Sequence, residues 1–367
     1  MHRLTDTAAG LPPTVPFVGP ETLERRRGAP FAARLGANES VFGPAPAALE
    51  AMRAAAAGAW MYGDPEMHDL RGAISRLHGV PMANVVVGEG IDGLLGTLAR
   101  LTIAPGRTAV TSAGAYPTFA YHVAGNGGAV AAVPYRGDME DPDALLEAAA
   151  RTGAALIYLA NPDNPMGSWH PAETVADMIA RVPEGAVLVL DEAYADTAPP
   201  GAIPPWDVSD PRVLRMRTFS KAHGLAGLRV GYAIGHADLV AAFDRVRDHF
   251  GVGRLAQAGA MGALSDPGHL ARTVARIAAA RTRIGEIAAA SGLVALPSAT
   301  NFVAIDCGRD GPFAAAVLAA LAGEGIFARM PGAAPLDRCI RISAGAEDDL
   351  AALEAALPRA LRAAADG

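Results

Sequence analysis

The sequence predicts an α/β fold, in which a large domain with a mostly parallel central sheet flanked by helices is followed by a smaller α+β domain. Three observations predict it. Strand-like apolar runs alternate with helical segments over residues 45–250, which is typical of a parallel sheet with helices on both faces. One run, 186–190, is apolar throughout, as expected for a strand buried on both sides. After residue 250 the pattern changes to a long Ala/Arg-rich helix, near 269–290, and separate strands.

The chain is expected to divide into three parts. These are an N-terminal arm (1–44), a large domain (45–250) and a small C-terminal domain (251–367) that a long helix links to it. Near the end of the large domain, apolar residues on one stripe predict an amphipathic helix over 237–250. In the small domain we expect strands near 301–306 and 339–343 and a final helix from Glu347.

The first strand expected in the large domain, 85–87, leads into a helix that the sequence predicts over 92–101. Gly90, Ile91 and Asp92 join the two. The N-terminus of a helix presents free backbone amides, which suit a phosphate group. The alternative is an ordinary glycine turn with an acidic residue in the first turn of the helix.

Three later strands each end in a polar residue. Asn164 follows the strand 155–159 in "NPDNPMG", Asp191 follows 186–190 in "LDEAY", and Lys221 follows the run 213–219. The three residues are 27 (164 to 191) and 30 (191 to 221) positions apart. Open α/β sheets bind ligands at the carboxyl ends of their strands. Taken singly, Asn164 and Asp191 could be turn or capping residues; in this order they predict a binding site.

Lys221 is the one lysine among 31 lysine and arginine residues. Arginine can supply a positive charge, but it cannot lose its proton and act as an amine nucleophile. A single lysine therefore suggests covalent chemistry, such as a Schiff base; the alternative is chance survival on a solvated surface. Ser220 and Arg229 suit a phosphate beside the amine. Together they indicate pyridoxal phosphate, with Asp191 as the partner of its ring nitrogen.

The motifs "NPDNPMG", "LDEAY", "RTFSKAHGLAGLRVGY" and "CIRISAG" resemble those of the class I/II aminotransferases of fold type I, and most closely the histidinol-phosphate aminotransferase branch. The resemblance covers almost the whole chain. It implies the following roles: covalent attachment of the cofactor for Lys221, pairing with the ring nitrogen for Asp191, hydrogen bonds to the ring oxygen for Asn164 and Tyr194, and phosphate binding for Ser220, Arg229 and the segment Gly90, Ile91 and Asp92.

The same resemblance implies roles for five further residues. Phe119 would stack on the cofactor ring, although core packing is its alternative. Tyr62 would reach the cofactor phosphate of the other subunit, in a homodimer with shared active sites. Asn38 belongs to a segment on the substrate side. Arg341 would bind the carboxylate or phosphate of the substrate, and Arg329 is either a second anion contact or a surface residue.

The implied activity is transamination between an amino donor and a 2-oxo acid such as 2-oxoglutarate. The expected donor is an L-amino acid or an amino-alcohol phosphate, with histidinol phosphate or an aromatic amino acid favoured. One alternative is a decarboxylase or lyase of the same fold, of the threonine-phosphate decarboxylase type. The other is a ligand-sensing domain of a transcription regulator, for which the segment before Pro44 is too short to hold a DNA-binding module.

Composition agrees with an enzyme of the cytoplasm. The formal net charge is −7 and the arginines are scattered, so no binding of nucleic acid is expected. No apolar stretch approaches the length of a membrane span, and residues 1–20 lack the apolar segment of a signal peptide. Cys307 and Cys339 are expected to be buried thiols. No spacing typical of a metal site is present.

Overall fold

The computed structural model of the chain describes residues 3–13 and 17–366. Its helices are α1 (Asp6–Ala9), α2 (Pro20–Arg27), α3 (Pro46–Ala56), α4 (His68–His78), α5 (Gly90–Thr102), α6 (Pro117–Gly125), α7 (Pro142–Thr152), α8 (Ala172–Ala180), α9 (Ala237–Ala242), α10 (Arg254–Leu264), α11 (Pro267–Ala290), α12 (Gly311–Gly323) and α13 (Glu347–Asp366). Its strands are β1 (Ala33–Arg34), β2 (Val85–Gly88), β3 (Thr108–Ser112), β4 (Ala129–Val133), β5 (Leu156–Ala160), β6 (Val187–Asp191), β7 (Val213–Thr218), β8 (Gly231–Gly235), β9 (Val294–Ala295), β10 (Phe302–Asp306), β11 (Ile326–Phe327) and β12 (Cys339–Ser343).

The central sheet has seven strands in the order β2-β8-β7-β6-β5-β3-β4. Strands β7, β6, β5, β3 and β4 are parallel, whereas β8 is antiparallel to both β7 and β2. This arrangement confirms the predicted mostly parallel sheet. It also places β5, β6 and β7 side by side, so their carboxyl ends meet at one edge of the sheet.

Side chains that alternate along the central strands pack against helices on the two faces of the sheet. On one face, Tyr158 and Val189 pack with apolar residues of α5 and α6. On the other face, Leu159 and Leu188 pack with apolar residues of α7 and α8. Burial on both faces explains why these strands are apolar throughout and do not alternate with polar residues.

The second, smaller sheet has the order β12-β10-β9 and is antiparallel. Helices α11, α12 and α13 pack against it through an apolar core that includes Ile284, Val317 and Leu353. Strand β1 pairs in parallel with β11, which attaches the first part of the chain to this unit. Helix α10 shares its apolar core with α3 and β2. The boundary that we place after residue 250 stays a prediction.

The predicted helix over 237–250 is wrong beyond its first turns. Helix α9 ends at Ala242, a 3₁₀ turn follows, and the chain then becomes irregular. The chain leaves the helical path at this turn, and the side chain of Arg247 then donates to Asp244 and to the carbonyl of Pro65. As a result Phe250 lies on the surface and not on a buried stripe. Over the described part of the chain, no helix has both the length and the apolar composition needed to cross a membrane.

Candidate active site

The carboxyl ends of β5, β6 and β7 open into a cavity of about 440 Å³. Strand β6 ends at Asp191, β7 is followed by Ser220 and Lys221, and β5 is followed by the loop that carries Asn164. The cavity is lined by residues from three parts of the chain: Phe17, Gly36, Ala37, Asn38, Glu39, Ile91, Asp92, Tyr116, Tyr158, Ala160, Pro162, Asn164, Asp191, Ala193, Tyr194, Thr218, Ser220, Lys221, Ala226, Gly227, Arg229, Arg329 and Arg341. The three strand-end residues that the sequence singled out therefore lie around one space.

Lys221 lies in the wall of the cavity with its amine close to the N-terminal segment. Its Nζ donates a hydrogen bond to the carbonyl of Asn38 at 3.2 Å and lies 5.6 Å from the ring centre of Tyr194. Burial, and then the positive charge of Arg341, lower the pKa of Lys221 to about 8. A substantial share of the amine is therefore neutral near pH 8, as a nucleophile requires.

Asp191 is buried, and both of its carboxylate oxygens have partners. Oδ2 accepts from the hydroxyl of Tyr158 at 2.6 Å, and Oδ1 accepts from the backbone N–H of Ala193 at 2.9 Å. Burial raises the pKa of Asp191 to about 6, although these two donors act in the opposite direction. At neutral pH the carboxylate is mostly ionised, and it can pair with a protonated ring nitrogen.

Asn38 with Tyr194, and Arg341 with Asn164, form two hydrogen-bonded pairs that also line the cavity. The Nδ2 of Asn38 donates to the hydroxyl of Tyr194 at 3.1 Å. The Nη1 of Arg341 donates to the Oδ1 of Asn164, which leaves the Nδ2 of Asn164 as its donor. Asn38 has a positive φ of 56°, a conformation that Asn tolerates better than most residues.

The expected phosphate site lies between the N-terminus of α5 and the loop after β7. The Nη1 of Arg229 donates to the Oγ of Ser220 at 3.3 Å, and its Nη2 lies 3.6 Å from Asp92. Gly90 begins the helix with a φ of 72°, and a Cβ there would lie 2.8 Å from the guanidinium of Arg229. Ile91 and Asp92 line the cavity itself. A serine hydroxyl, an arginine and free helix amides are a donor set suited to a phosphate.

Two guanidinium groups, those of Arg341 and Arg329, line the same cavity. The backbones of the two residues form a β-bridge, so the residues lie side by side. Burial lowers the pKa of Arg341, and its Nε is buried with no partner among the described residues. The Nη2 of Arg329 donates to the carbonyl of Val18 at 2.8 Å, next to the ring of Phe17. An unpaired buried donor on a guanidinium indicates that an anion belongs beside it.

The place expected for Phe119 is corrected by the structure. Its side chain is buried in the core, where it stacks on Tyr158 with 4.9 Å between ring centres, and it does not line the cavity. The aromatic residue from this segment that lines the cavity is Tyr116, whose hydroxyl donates to Asp92 at 2.8 Å. Tyr116 immediately precedes helix α6, and the first turn of that helix directs Phe119 into the sheet.

Tyr62 does not line the cavity formed by its own chain. It is 74% exposed and stacks on Phe250, with 4.4 Å between the ring centres. Trp60 and Met61 next to it are also exposed, so the segment presents an apolar surface. Such a surface suits contact with another protein chain.

Tyr158 and Tyr116 are two polar residues of the cavity that the sequence reasoning missed. Tyr158 is the one residue with a hydroxyl in the strand Leu156–Ala160. A hydroxyl in a strand that is buried on both faces needs an acceptor, and this requirement could have linked Tyr158 to Asp191. For Tyr116, no signal in the sequence separates it from Phe119 three residues later.

The residues of the cavity fit the cofactor that the sequence indicated. An amine, a carboxylate, two donors for a ring oxygen and a phosphate site surround one space, and each has a matching group on pyridoxal phosphate. The small residue at Gly90 keeps that phosphate site open, because any side chain there would displace Arg229.

Comparison with known proteins gives a family and several relatives. The sequence model of the family "Aminotransferase class I and II" matches residues 33–359. The chain is 39% identical to histidinol-phosphate aminotransferase 2 of Ralstonia nicotianae over 332 residues, which cover 89% of this chain and 88% of that protein. It is 35% identical to the histidinol-phosphate aminotransferase of Anaeromyxobacter sp. over 360 residues, which cover 97% and 98% of the two chains.

Solved structures agree with these sequence matches. A histidinol-phosphate aminotransferase from Sinorhizobium meliloti, in complex with pyridoxal-5'-phosphate, is 53% identical and superposes with a TM-score of 0.96, covering 99% of this chain and 98% of that one. An aspartate aminotransferase from Thermus thermophilus with maleate has a TM-score of 0.82 at 23% identity, over 98% of this chain and 100% of that one. At that identity the likeness concerns the fold alone.

Proposed function

The chain belongs to the class I and II aminotransferases, and we propose that it transfers the amino group of histidinol phosphate to a 2-oxo acid such as 2-oxoglutarate. It is a pyridoxal-phosphate-dependent transaminase of fold type I. A decarboxylase or lyase of the same fold is not favoured, because the relatives named above are aminotransferases.

Each polar group of the cavity has a task in this proposal. When it is bound, the cofactor supplies an electron sink for the bonds at the reacting carbon. Lys221 would hold the cofactor through its amine, and the same amine would carry the proton that the reaction moves. Asp191 holds the ring nitrogen protonated, and Tyr194 and Asn164 donate to the ring oxygen. The phosphate is bound by Ser220, Arg229 and the amides at Gly90, Ile91 and Asp92.

The single observation that carries the choice of substrate is the pair of guanidinium groups in one cavity. One carboxylate needs one bidentate arginine, whereas Arg341 and Arg329 lie side by side on this wall. Two guanidiniums suit a phosphate dianion in the donor half-reaction. They equally suit the two carboxylates of 2-oxoglutarate in the other half-reaction, in which the same cavity is used.

We also propose a homodimer with shared active sites in the cytoplasm. The exposed aromatic surface at Tyr62 and Phe250 supports the contact between subunits. The cysteines Cys307 and Cys339 are both free and buried, which agrees with a reducing compartment.

A screen of amino donors tests the proposed reaction. The purified holoenzyme is incubated with 2-oxoglutarate and with histidinol phosphate, histidinol, phenylalanine, tyrosine or leucine, and the formation of glutamate is measured. We expect kcat/KM for histidinol phosphate to exceed that for histidinol by roughly 30- to 160-fold, because one charged bidentate pair contributes about 2–3 kcal/mol. In Arg329→Gln, the ratio of kcat/KM for histidinol phosphate to kcat/KM for histidinol should decrease, because only the guanidinium of Arg341 remains. Equal efficiency with histidinol, or a clear preference for phenylalanine, would reject histidinol phosphate as the donor and leave transamination intact.

A further inference from the structure

A single tyrosine lies in the middle of an otherwise apolar central strand. Tyr158 of β5 is fully buried, with 0% of its surface exposed. It points to the same face of the sheet as Leu156 and Ala160, toward the core beneath α5 and α6. Tyr158 also lines the cavity, and its hydroxyl bonds to Asp191 there. Packing alone would be served equally well by phenylalanine, so the hydroxyl needs its own explanation.

The hydroxyl of Tyr158 fixes the orientation of Asp191. Strands β5 and β6 are parallel, and Ala160 lies directly opposite Asp191. Tyr158 precedes Ala160 by two residues, and its side chain reaches across to Asp191. Its OH donates to Oδ2 at 2.6 Å, while the N–H of Ala193 donates to Oδ1 at 2.9 Å. The carboxylate is thus bound on both oxygens by donors of the rigid sheet and its turn, and it cannot rotate without losing one of them.

Phe119 holds the ring of Tyr158 in place. The two rings stack with an interplanar angle of 23°, and Phe119 is 2% exposed in the first turns of α6. Because a tyrosine side chain has only two torsions, this stack leaves the hydroxyl little freedom. Phe119 therefore supports Tyr158 from behind the cavity wall and does not line the cavity, where the resemblance had placed it.

The surroundings of Asp191 shift the pKa of its carboxyl group in opposite directions. Burial and Asp92 of α5 disfavour the carboxylate, whereas Tyr158, the N–H of Ala193 and Lys221 favour it. Two further buried acids, Glu140 and Asp163, lie near enough for Asp191 to act on them. Among the groups that favour the ionised form, Tyr158 is the largest contributor.

We propose that Tyr158 is a positioning residue of the reaction, which aims the carboxylate of Asp191 at the ring nitrogen of the cofactor and keeps that carboxylate ionised. This inference rests on the proposed function, because it requires pyridoxal phosphate in the cavity. In this proposal Tyr158 acts through Asp191, to which its hydroxyl donates.

The variant Tyr158→Phe tests this inference, with Tyr232→Phe as the matched control. Tyr232 is also a buried tyrosine, but its hydroxyl contacts His78 at 2.8 Å and it does not line the cavity. Each variant is prepared as the holoenzyme. The measurements are the dissociation constant of pyridoxal phosphate, the dependence of kcat on pH, the KM of the amino donor and the melting temperature.

For Tyr158→Phe we expect the acidic limb of kcat to move to higher pH by about one unit and the cofactor to bind about tenfold more weakly, as the loss of one hydrogen bond to a charged group implies. The KM of the amino donor should stay the same. Tyr232→Phe should lower the melting temperature comparably and shift neither the pH limb nor the binding of the cofactor.

The Asp191→Asn background separates positioning from packing. If Tyr158 acts through Asp191, Tyr158→Phe changes kcat and cofactor binding much less in this background than in the wild type. An equal change in both backgrounds, or an unshifted acidic limb in the single variant, overturns the inference while the wild type still binds the cofactor and transaminates. A wild-type chain that binds no pyridoxal phosphate overturns the proposed function itself.

Discussion

At the scale of single residues, the neighbours of Lys221 act on its amine in opposite directions. Burial, Arg341 and Arg229 favour the neutral form, whereas Asp92 and Asp191 favour the charged one. The outcome, a pKa of about 8, leaves the amine both available as a nucleophile and able to carry a proton. Neither property survives in arginine, which stays protonated in proteins.

Replacing Lys221 with arginine should therefore abolish turnover while keeping the charge. We expect kcat to fall by at least the 10²–10⁴-fold that general acid–base transfer alone contributes, and the covalent link to the cofactor to be absent. Borohydride treatment followed by peptide mapping should label one peptide in the wild type and none in the variant. Near-normal turnover in Lys221→Arg would contradict the assignment.

The sequence indicated the strand-end residues more clearly than the aromatic ones. Asn164, Asp191 and Lys221 each follow an apolar strand, and strands of a parallel sheet deliver such residues to one edge. Tyr116 and Phe119 differ only in their place relative to the start of α6. Which of the two faces the cavity depends on how that helix packs, and a pattern of residue types does not contain this information.

At the scale of elements, helix α5 and the loop after β7 approach closely at the proposed phosphate site. Gly90 makes this approach possible, since its φ of 72° turns the chain into the helix and its missing side chain leaves room for Arg229. Strand positions were predicted to within about a residue at β2, β5 and β6 because burial makes them apolar. The end of α9 was not, because the apolar stripe in the sequence continues to residue 250, past Ala242, where the helix ends.

Gly90→Ala should weaken cofactor binding about tenfold or more, because the new Cβ would displace the guanidinium of Arg229, which we propose binds the phosphate. Gly106→Ala is its control, since Gly106 also has a positive φ, of 88°, but nothing lies within 4 Å of its would-be Cβ. Both variants should lose about 1–2 kcal/mol of stability from the strained backbone. Isothermal titration with pyridoxal phosphate measures the difference, and equal affinities in the two variants would contradict the assigned phosphate site.

At the scale of the whole molecule, the buried acids Glu140 and Asp163 make stability depend on pH. Glu140 accepts from Ser112 and from the backbone of Ala160, which ties β3 to β5. Burial, and then Asp163, raise the pKa of Glu140, and burial raises that of Asp163 from 3.8 to about 7. The folded chain therefore retains protons that the unfolded chain releases, so stability is highest below pH 4 for these groups and declines as the pH rises toward 7.

Glu140→Gln should stabilise the protein at pH 8 and much less at pH 5. The amide keeps an acceptor for Ala160 and a donor for Ser112, but it carries no charge to bury. We expect the gain in Tm at pH 8 to exceed that at pH 5 by about 2 °C, which corresponds to roughly 1 kcal/mol. Glu147→Gln, an exposed acid of α7, controls for the change in net charge. A gain of the same size at both pH values would contradict the burial argument.

The proposed dimer predicts complementation between two defective subunits. Tyr62→Phe removes the hydroxyl that would reach the partner's cofactor, and Lys221→Ala removes the amine of its own site. In a mixed dimer with shared sites, one site carries both defects and the other carries neither. Activity should therefore rise when the two variants are mixed under conditions of subunit exchange, whereas Tyr121→Phe, another exposed tyrosine, should give no such gain with Lys221→Ala. An unchanged activity on mixing, or a fully active monomer, would contradict shared sites.

Asn38 joins segments that lie far apart along the chain. Its carbonyl accepts from Lys221 and Asn301, and its backbone N–H donates to Ser343. During synthesis on the ribosome, the seven-stranded sheet can form once β8 has emerged, but at that time neither Ser343 nor Arg341 exists. A nascent chain therefore presents the amine of Lys221 before Arg341, the residue that we propose binds the anion of the substrate. Cofactor added at that moment would encounter a cavity that still lacks Arg341 and Ser343. We therefore expect stable binding of the cofactor only after the chain is released from the ribosome.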